Sequence, residues 1–427
     1  MNREIIKSRV GDECIHVKHK SGLEIFISEK PGFSTSFAVI GTKYGSVHTD
    51  FRIKGEEEFT AVPEGIAHFL EHKLFENEDS KVFELYAKTG ASGNAYTTFD
   101  RTCYYFSSTS NYEEPLRILL DFVQKPYFTQ ETVDKEQGII SQEIKMTNDN
   151  PDWRVFSNLL KSMYHSHPVR TDIAGTCESI AKIDAPLLYR CYDAFYDLHN
   201  MVLSVAGNVK ADKVLEICDE LLRISPDRKA EVRFPDEPET VVRPVIREKM
   251  PVGMPIVQIG YKCRPADRSG KLKKHLTAAM ACSLLTDECS ELYDRLLDEG
   301  VISSPPGGSV FAGEGYFSVI FSAVTEYPER VAEAIEQERE RFVRDGIPEN
   351  VFKRIKRCGY RDILHDTDDV ESTAFLMLDA CMEGSRPYEH IDIYAELTAG
   401  EVRKFMEEEL VISNRVLSVI EKEVEDQ

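Results

Sequence analysis

The chain has 427 residues, of which 42% are hydrophobic and 30% charged, and its formal net charge is -22. That length exceeds a single ordinary core and predicts about two to four domains, within a composition ordinary for globular proteins. A surface this acidic repels nucleic acid and anionic membranes, which sets both aside as partners and favours neutral or basic substrates. No apolar run approaches the length of a membrane-crossing helix, and the opening residues MNREIIKSRVGDECIHVKHK hold no apolar signal core, so no membrane span is expected. The ten cysteines form no C-x-x-C pair and fall in apolar segments, which reads as reduced, buried thiols in a cytoplasmic protein.

In chain order, short apolar runs between turn signals predict strands over residues 24–28 and 36–41. Residues 60–75 read as a helix with Pro63 near its start, and residues 81–89 as a second helix stopped at Gly90. Residues 92–98 and 102–109 read as a hairpin around Phe99, Asp100 and Arg101, and helices follow over 112–124 and 129–146. Residues 233–247, RFPDEPETVVRPVIR, have no periodic apolar face and read as a linker. Beyond it, strands are predicted over 256–263 and 316–323. One or two helices are predicted over 271–298, with further helices over 328–344, 349–364 and 371–383.

The halves echo each other. Asn200 to Val205 reads NMVLSV and Asn414 to Val419 reads NRVLSV, an offset of 414 minus 200, or 214 residues. Each follows a polar helix, over 185–196 and 399–409, and Phe122-Val123 is echoed by Phe342-Val343. Two similar offsets in one order predict a duplicated unit. The expected fold is α+β, with two homologous domains, each an antiparallel-rich mixed sheet covered by helices. The first domain spans residues 1–232, the linker 233–247 and the second domain 248–427.

The stretch Gly65 to Phe75, GIAHFLEHKLF, carries the chemistry. Residues four apart share a helix face, so His68 and His72 can offer two imidazole nitrogens to one metal. Neutral imidazoles at this spacing suit zinc. Glu71 lies at the edge of that face, where it can reach a water on the metal. A metal lowers the pKa of its water, and a carboxylate can then take the proton. A catalytic zinc needs a third protein ligand. The helix over 129–146 offers Glu136 and Glu143, seven residues apart and on one side, so one could ligate while the other orients a ligand histidine. The plain alternative is an amphipathic core helix with incidental polar residues, since Phe69, Leu70, Leu74 and Phe75 flank the motif. Burying two histidines and a glutamate without a common partner is costly, and this favours the metal site.

With those residues in view, EGIAHFLEHKLF resembles the inverted zinc motif of the pitrilysin/insulinase family of metallopeptidases, which includes mitochondrial processing peptidases. The resemblance extends through Asn94-Ala95 in SGNAYTTFDRTCYYF, through EQGIISQE from Glu136 to Glu143, through His167-Pro168 and Gly175-Thr176, and to Gly207-Asn208-Val209. It is strong over the first half and weak over the second, and looks most similar to bacterial processing-protease-like members. It implies that His68, His72 and Glu143 ligate zinc, that Glu71 is the general base and that Glu136 is an acidic companion outside the ligand set. The first domain is then the catalytic, zinc-binding one and the second binds no metal. The gap from His72 to Glu143 is shorter than usual for the family, which points to a shortened loop between residues 75 and 92.

The resemblance also places Asn94 and Ala95 on an edge strand that takes up an extended peptide, a mode in which main-chain hydrogen bonds supply the affinity. Tyr104 and Tyr105 read as core aromatics. Active relatives draw an Arg and a Tyr from a homologous domain. In the segment from Ser290 to Gly300, Leu297 stands where the Arg is expected, no Tyr follows Gly300 in register, and Arg295 and Tyr316 are out of register. The expected function is therefore zinc-dependent hydrolysis of peptides or unfolded segments. The expected partner is a homologous subunit without the zinc motif, in a heterodimer, with a homodimer as the other arrangement. The competing reading is a non-catalytic peptide-binding or structural subunit. A purely structural zinc is weaker, because such sites favour four protein ligands and three converge here.

Overall fold

The computed structural model describes residues 2–76, 82–224, 226–267 and 269–423. Its contacts divide the chain into two units: residues 1–144, 172–234 and 364–389 form the first, and residues 145–171, 235–363 and 390–427 the second.

The first unit is built on a seven-stranded sheet. Its order is Arg3–Lys7, Glu13–Lys18, Glu24–Glu29, Met201–Gly207, Ser36–Thr42, Thr102–Ser108 and Ser92–Thr97. All neighbours run antiparallel except Glu24–Glu29 against Met201–Gly207. Ser36–Thr42 and Met201–Gly207 are buried at every residue, as central strands covered on both faces must be. The second unit has a five-stranded sheet in the order Val245–Met250, Arg415–Lys422, Ile256–Cys263, Tyr316–Val324 and Gly307–Gly313, again with only the first pair parallel.

The two orders correspond strand for strand once the first two strands of the larger sheet are set aside. The echoed segments fall on equivalent strands, Met201–Gly207 and Arg415–Lys422, each parallel to one neighbour and antiparallel to the other. Duplication is therefore visible in the topology, and the fold is the α+β pair of sheets expected.

A helix crosses between the halves in each direction. Pro151–Met163, absent from the elements predicted above, follows the first half in sequence but covers the sheet of the second unit. Its start is well specified: Asn150 accepts from the N–H groups of Asp152 and Trp153, and Pro151 occupies the first turn. Its counterpart Val370–Glu383 covers the sheet of the first unit. Both helices ride close over a strand glycine. A Cβ on Gly41 would come within 2.6 Å of Met382, and one on Gly260 within 2.3 Å of Met163. Larger residues there would push the exchanged helices off their sheets.

Three sequence expectations need correction, and a fourth falls partly outside the described residues. The helix predicted over 60–75 is shorter, Ile66–Leu74, because Thr60–Ala61 pairs as a strand with Asp50–Ile53 and Gly65 takes a left-handed φ of 87°. The helix predicted from Lys81 is seen over Val82–Thr89, and Lys81 itself lies outside the described residues. The stretch 233–247 is not featureless. Val245 begins a sheet strand, and Glu237 accepts from the backbone N–H groups of His165, Ser166 and His167 and from the Lys262 ammonium. The cysteines are all free but not all buried: Cys289 is exposed, and Cys177, Cys358 and Cys381 are partly so. Among the described residues no helix is long and apolar enough to cross a membrane.

Candidate metal centre and active site

The helix Ile66–Leu74 is anchored by Ile66, Ala67, Phe69, Leu70 and Leu74, all buried in the core of the first unit. Its start is fixed by Gly65, where a Cβ would meet the Ala174 carbonyl oxygen at 2.3 Å, so only glycine permits this approach. With the apolar face committed to the core, His68 and His72 share the remaining face. Their ring centroids are 4.6 Å apart and their planes are inclined by 64°. The helix Gln130–Asn148 buries Val133, Glu136, Ile140 and Ile144, and its seven-residue step brings Glu143 to the same place.

Here the two helices converge. Glu143 sets one carboxylate oxygen 3.5 Å from His68 Nε2 and the other 3.5 Å from His72 Nε2. These separations are long for hydrogen bonds. They match a metal cradle instead: ligands about 2.0–2.2 Å from a tetrahedral zinc stand roughly 3.3–3.6 Å from one another. The His72 ring is fixed by its Nδ1–H donating to Glu136 Oε1 at 2.9 Å, which leaves Nε2 as the free lone pair. His68 Nδ1 is buried with no hydrogen-bond partner, so the polar engagement of that ring is through Nε2 alone. Among the described residues, His68, His72 and Glu143 are the one group placed to hold a metal ion, and the residues present fit zinc.

Glu71 is buried beside them. Its Oε2 accepts the Thr97 hydroxyl at 2.6 Å. Burial raises its carboxyl above the usual range, against the Thr97 hydrogen bond and the charges of His68 and His72. For His72, burial pulls downward but the Glu136 hydrogen bond and the charges of Glu71, Glu143 and Glu136 outweigh it, so the imidazole is raised. The Glu143 carboxyl is lowered by its contact with His68 and by the charge of both imidazoles, against burial.

Asn94 and Ala95 lie on Ser92–Thr97, the last strand of the sheet, which pairs only with Thr102–Ser108 among the described residues. The Ala95 N–H donates to Asn94 Oδ1 at 2.9 Å, so it points away from the neighbouring strand, toward the open edge. Tyr104 is fully buried, as expected of a core aromatic, whereas Tyr105 is only partly covered. Two contributors went unassigned in the sequence. Thr97 holds Glu71, and strand period would have found it, since Ala95 and Thr97 share a face. Lys73, next to His72, is completely buried and ion-paired with Glu76. In the second unit Leu297 and Arg295 are exposed on the helix Glu291–Asp298, while Tyr316 is buried against His167 and Phe311.

The chain is similar to known zinc proteases in sequence and in fold. Residues 60–177 match the profile described as insulinase (peptidase family M16), and residues 182–357 match the M16 inactive domain. A Bacillus subtilis protein, YmfH, named a zinc protease, is 41% identical over 343 residues, covering 78% of this chain and 79% of that protein. The crystal structure of an M16-like peptidase from Alicyclobacillus acidocaldarius has a TM-score of 0.93 at 32% identity and covers 99% of both chains. A Schizosaccharomyces pombe protein described as a mitochondrial-processing peptidase beta subunit is 28% identical over 206 residues, 47% of this chain and 43% of that one. This chain belongs to the insulinase family of peptidases, M16, a family of zinc-dependent enzymes.

Proposed function

We propose that this chain is a zinc endopeptidase that hydrolyses peptides or unfolded segments, with His68, His72 and Glu143 as the zinc ligands and Glu71 as the general base. The observation that carries the reading is the convergence of the three ligand atoms, with Glu136 fixing His72 and Glu71 held beside them. A zinc ion held by His68, His72 and Glu143 would supply Lewis acidity toward water and the scissile carbonyl. Glu136 keeps the proton of His72 on Nδ1. Thr97 occupies Glu71 Oε2, so Oε1 is the oxygen free to take the proton of the attacking water and return it to the departing amine. The extended substrate lies along Ser92–Thr97, where the outward Ala95 N–H and the exposed Asn94 side chain offer main-chain recognition.

The test is metal content together with hydrolysis of a peptide mixture. Glu71→Gln should retain zinc and fold while losing activity by about 10²–10⁴-fold or more. Unchanged turnover in the zinc-loaded variant would sink the mechanism.

The same reading assigns a homologous partner. The second half offers no metal cluster among its described residues, Leu297 stands exposed where an Arg is expected, and Tyr316 is buried. The likeness to a protein described as a processing-peptidase beta subunit favours a sister chain, carrying the Arg and Tyr, over a self-dimer. A cytoplasmic setting suits the ten free cysteines.

A further inference from the structure

Of the ten cysteines only Cys289 is exposed. It sits in the turn between the helices Lys271–Thr286 and Glu291–Asp298, with its N–H donating to Asp287 Oδ1 at 2.8 Å. Arg354, on the helix Glu349–Asp366, donates from Nη2 to the Cys289 carbonyl oxygen at 2.8 Å and so holds the turn against that helix. Cys358 lies four residues beyond Arg354, on the same helical face. It is partly exposed, and the two cysteines line one surface groove with Asp287, Pro305, Gly307 and Arg361.

We propose that Cys289 and Cys358 form a dithiol modification site that closes to a disulfide when a low-molecular-weight disulfide is present. The Cys289 thiolate, formed by loss of its proton to solvent, attacks one sulfur of the small disulfide and expels the first small thiolate. Cys358 then loses its proton and attacks Cys289 Sγ, expelling the second. The two protein thiols give up two electrons and two protons in all, and the small disulfide is reduced to two thiols. The new bond ties the turn before Glu291–Asp298 to Glu349–Asp366, enclosing the edge strand Gly307–Gly313 within the covalent loop. Burial and the Asp287 carboxylate hold the Cys289 thiol above the ordinary range, so exchange is slow and calls for long incubation. In a reducing compartment the bridge forms only while oxidant is present. A metal at this place is not supported, because the described metal-ligating cluster is His68, His72 and Glu143.

The inference rests on no reading of the metal centre. The zinc-loaded full chain is incubated overnight with oxidised glutathione, digested without reduction and analysed by mass spectrometry. The expected result is an intact mass lower by two hydrogens and one linked peptide pair carrying Cys289 and Cys358, both reversed by a dithiol reductant. Cys358→Ser should instead accumulate the glutathione adduct on Cys289. A stable adduct on Cys289 in the unmodified chain, or no reaction at either residue, would overturn the proposal.

Discussion

Two glutamates seven residues apart on one helix end up with different work because they meet different atoms. Glu143 bridges the free nitrogens of His68 and His72, while Glu136 is spent on His72 Nδ1. Removing a ligand should empty the cradle, whereas removing the orienting carboxylate should only weaken it. Glu143→Ala should therefore lose most bound zinc, and Glu136→Gln should lower zinc affinity by about 10–100-fold with the fold intact. Titration with a competing chelator measures both. Full zinc in Glu143→Ala alongside loss in the Glu136 variant would exchange the two roles.

At the scale of elements, the proposed mechanism would have the edge strand Ser92–Thr97 join binding and chemistry, since Ala95 has an outward donor and the Thr97 hydroxyl holds Glu71. Ala95→Pro removes that donor without taking a bond from the inner ladder, and edge strands tolerate proline. Peptide hydrolysis should fall, with KM raised, while zinc content and thermal stability stay near those of the parent. Steady-state kinetics with paired metal analysis decide it, and unchanged KM would remove this strand from substrate binding.

The linker carboxylate Glu237 belongs to the same scale. Burial alone would raise it, but the Lys262 ammonium and the three backbone N–H donors of residues 165–167 hold it at about 2. A carboxyl depressed from its unfolded value near 4.3 contributes about 3 kcal/mol of stability, present above that value and lost as pH falls toward the folded one. Glu237→Gln should cost roughly that much at neutral pH, and the difference from the parent should shrink as the medium is taken to about pH 3. Urea unfolding at the two conditions tests it. A gap that does not narrow would show that the carboxylate's charge is not what stabilises the loop.

For the whole molecule, duplication supplied two sheets sharing one five-strand order and, among the described residues, a single metal cradle. A second copy of this chain would bring the same exposed Leu297 and the same buried Tyr316. The chain alone should then bind one zinc and hydrolyse peptides slowly, and a homologous subunit with the Arg and Tyr in register should raise its turnover. Co-purification from the host followed by reconstitution provides the measurement. Brisk hydrolysis by the isolated chain would show that no partner is required.

The helix period of 3.6 residues placed His68 and His72 on one face, and the step from Glu136 to Glu143 on another, whatever the surrounding fold. Likewise NMVLSV and NRVLSV marked equivalent strands, because a repeated apolar pattern finds the same place in a repeated sheet. Those features were legible in the sequence because they depend on neighbours a few residues away. The meeting of the histidine helix with Glu143, the hold of Thr97 on Glu71, the anchoring of Glu237 under residues 165–167 and the exchange of Pro151–Met163 for Val370–Glu383 join segments far apart in the chain. No local periodicity encodes such pairings. They are decided when each apolar face finds its cover, and the tertiary structure alone shows which polar groups that burial brings within reach of one another.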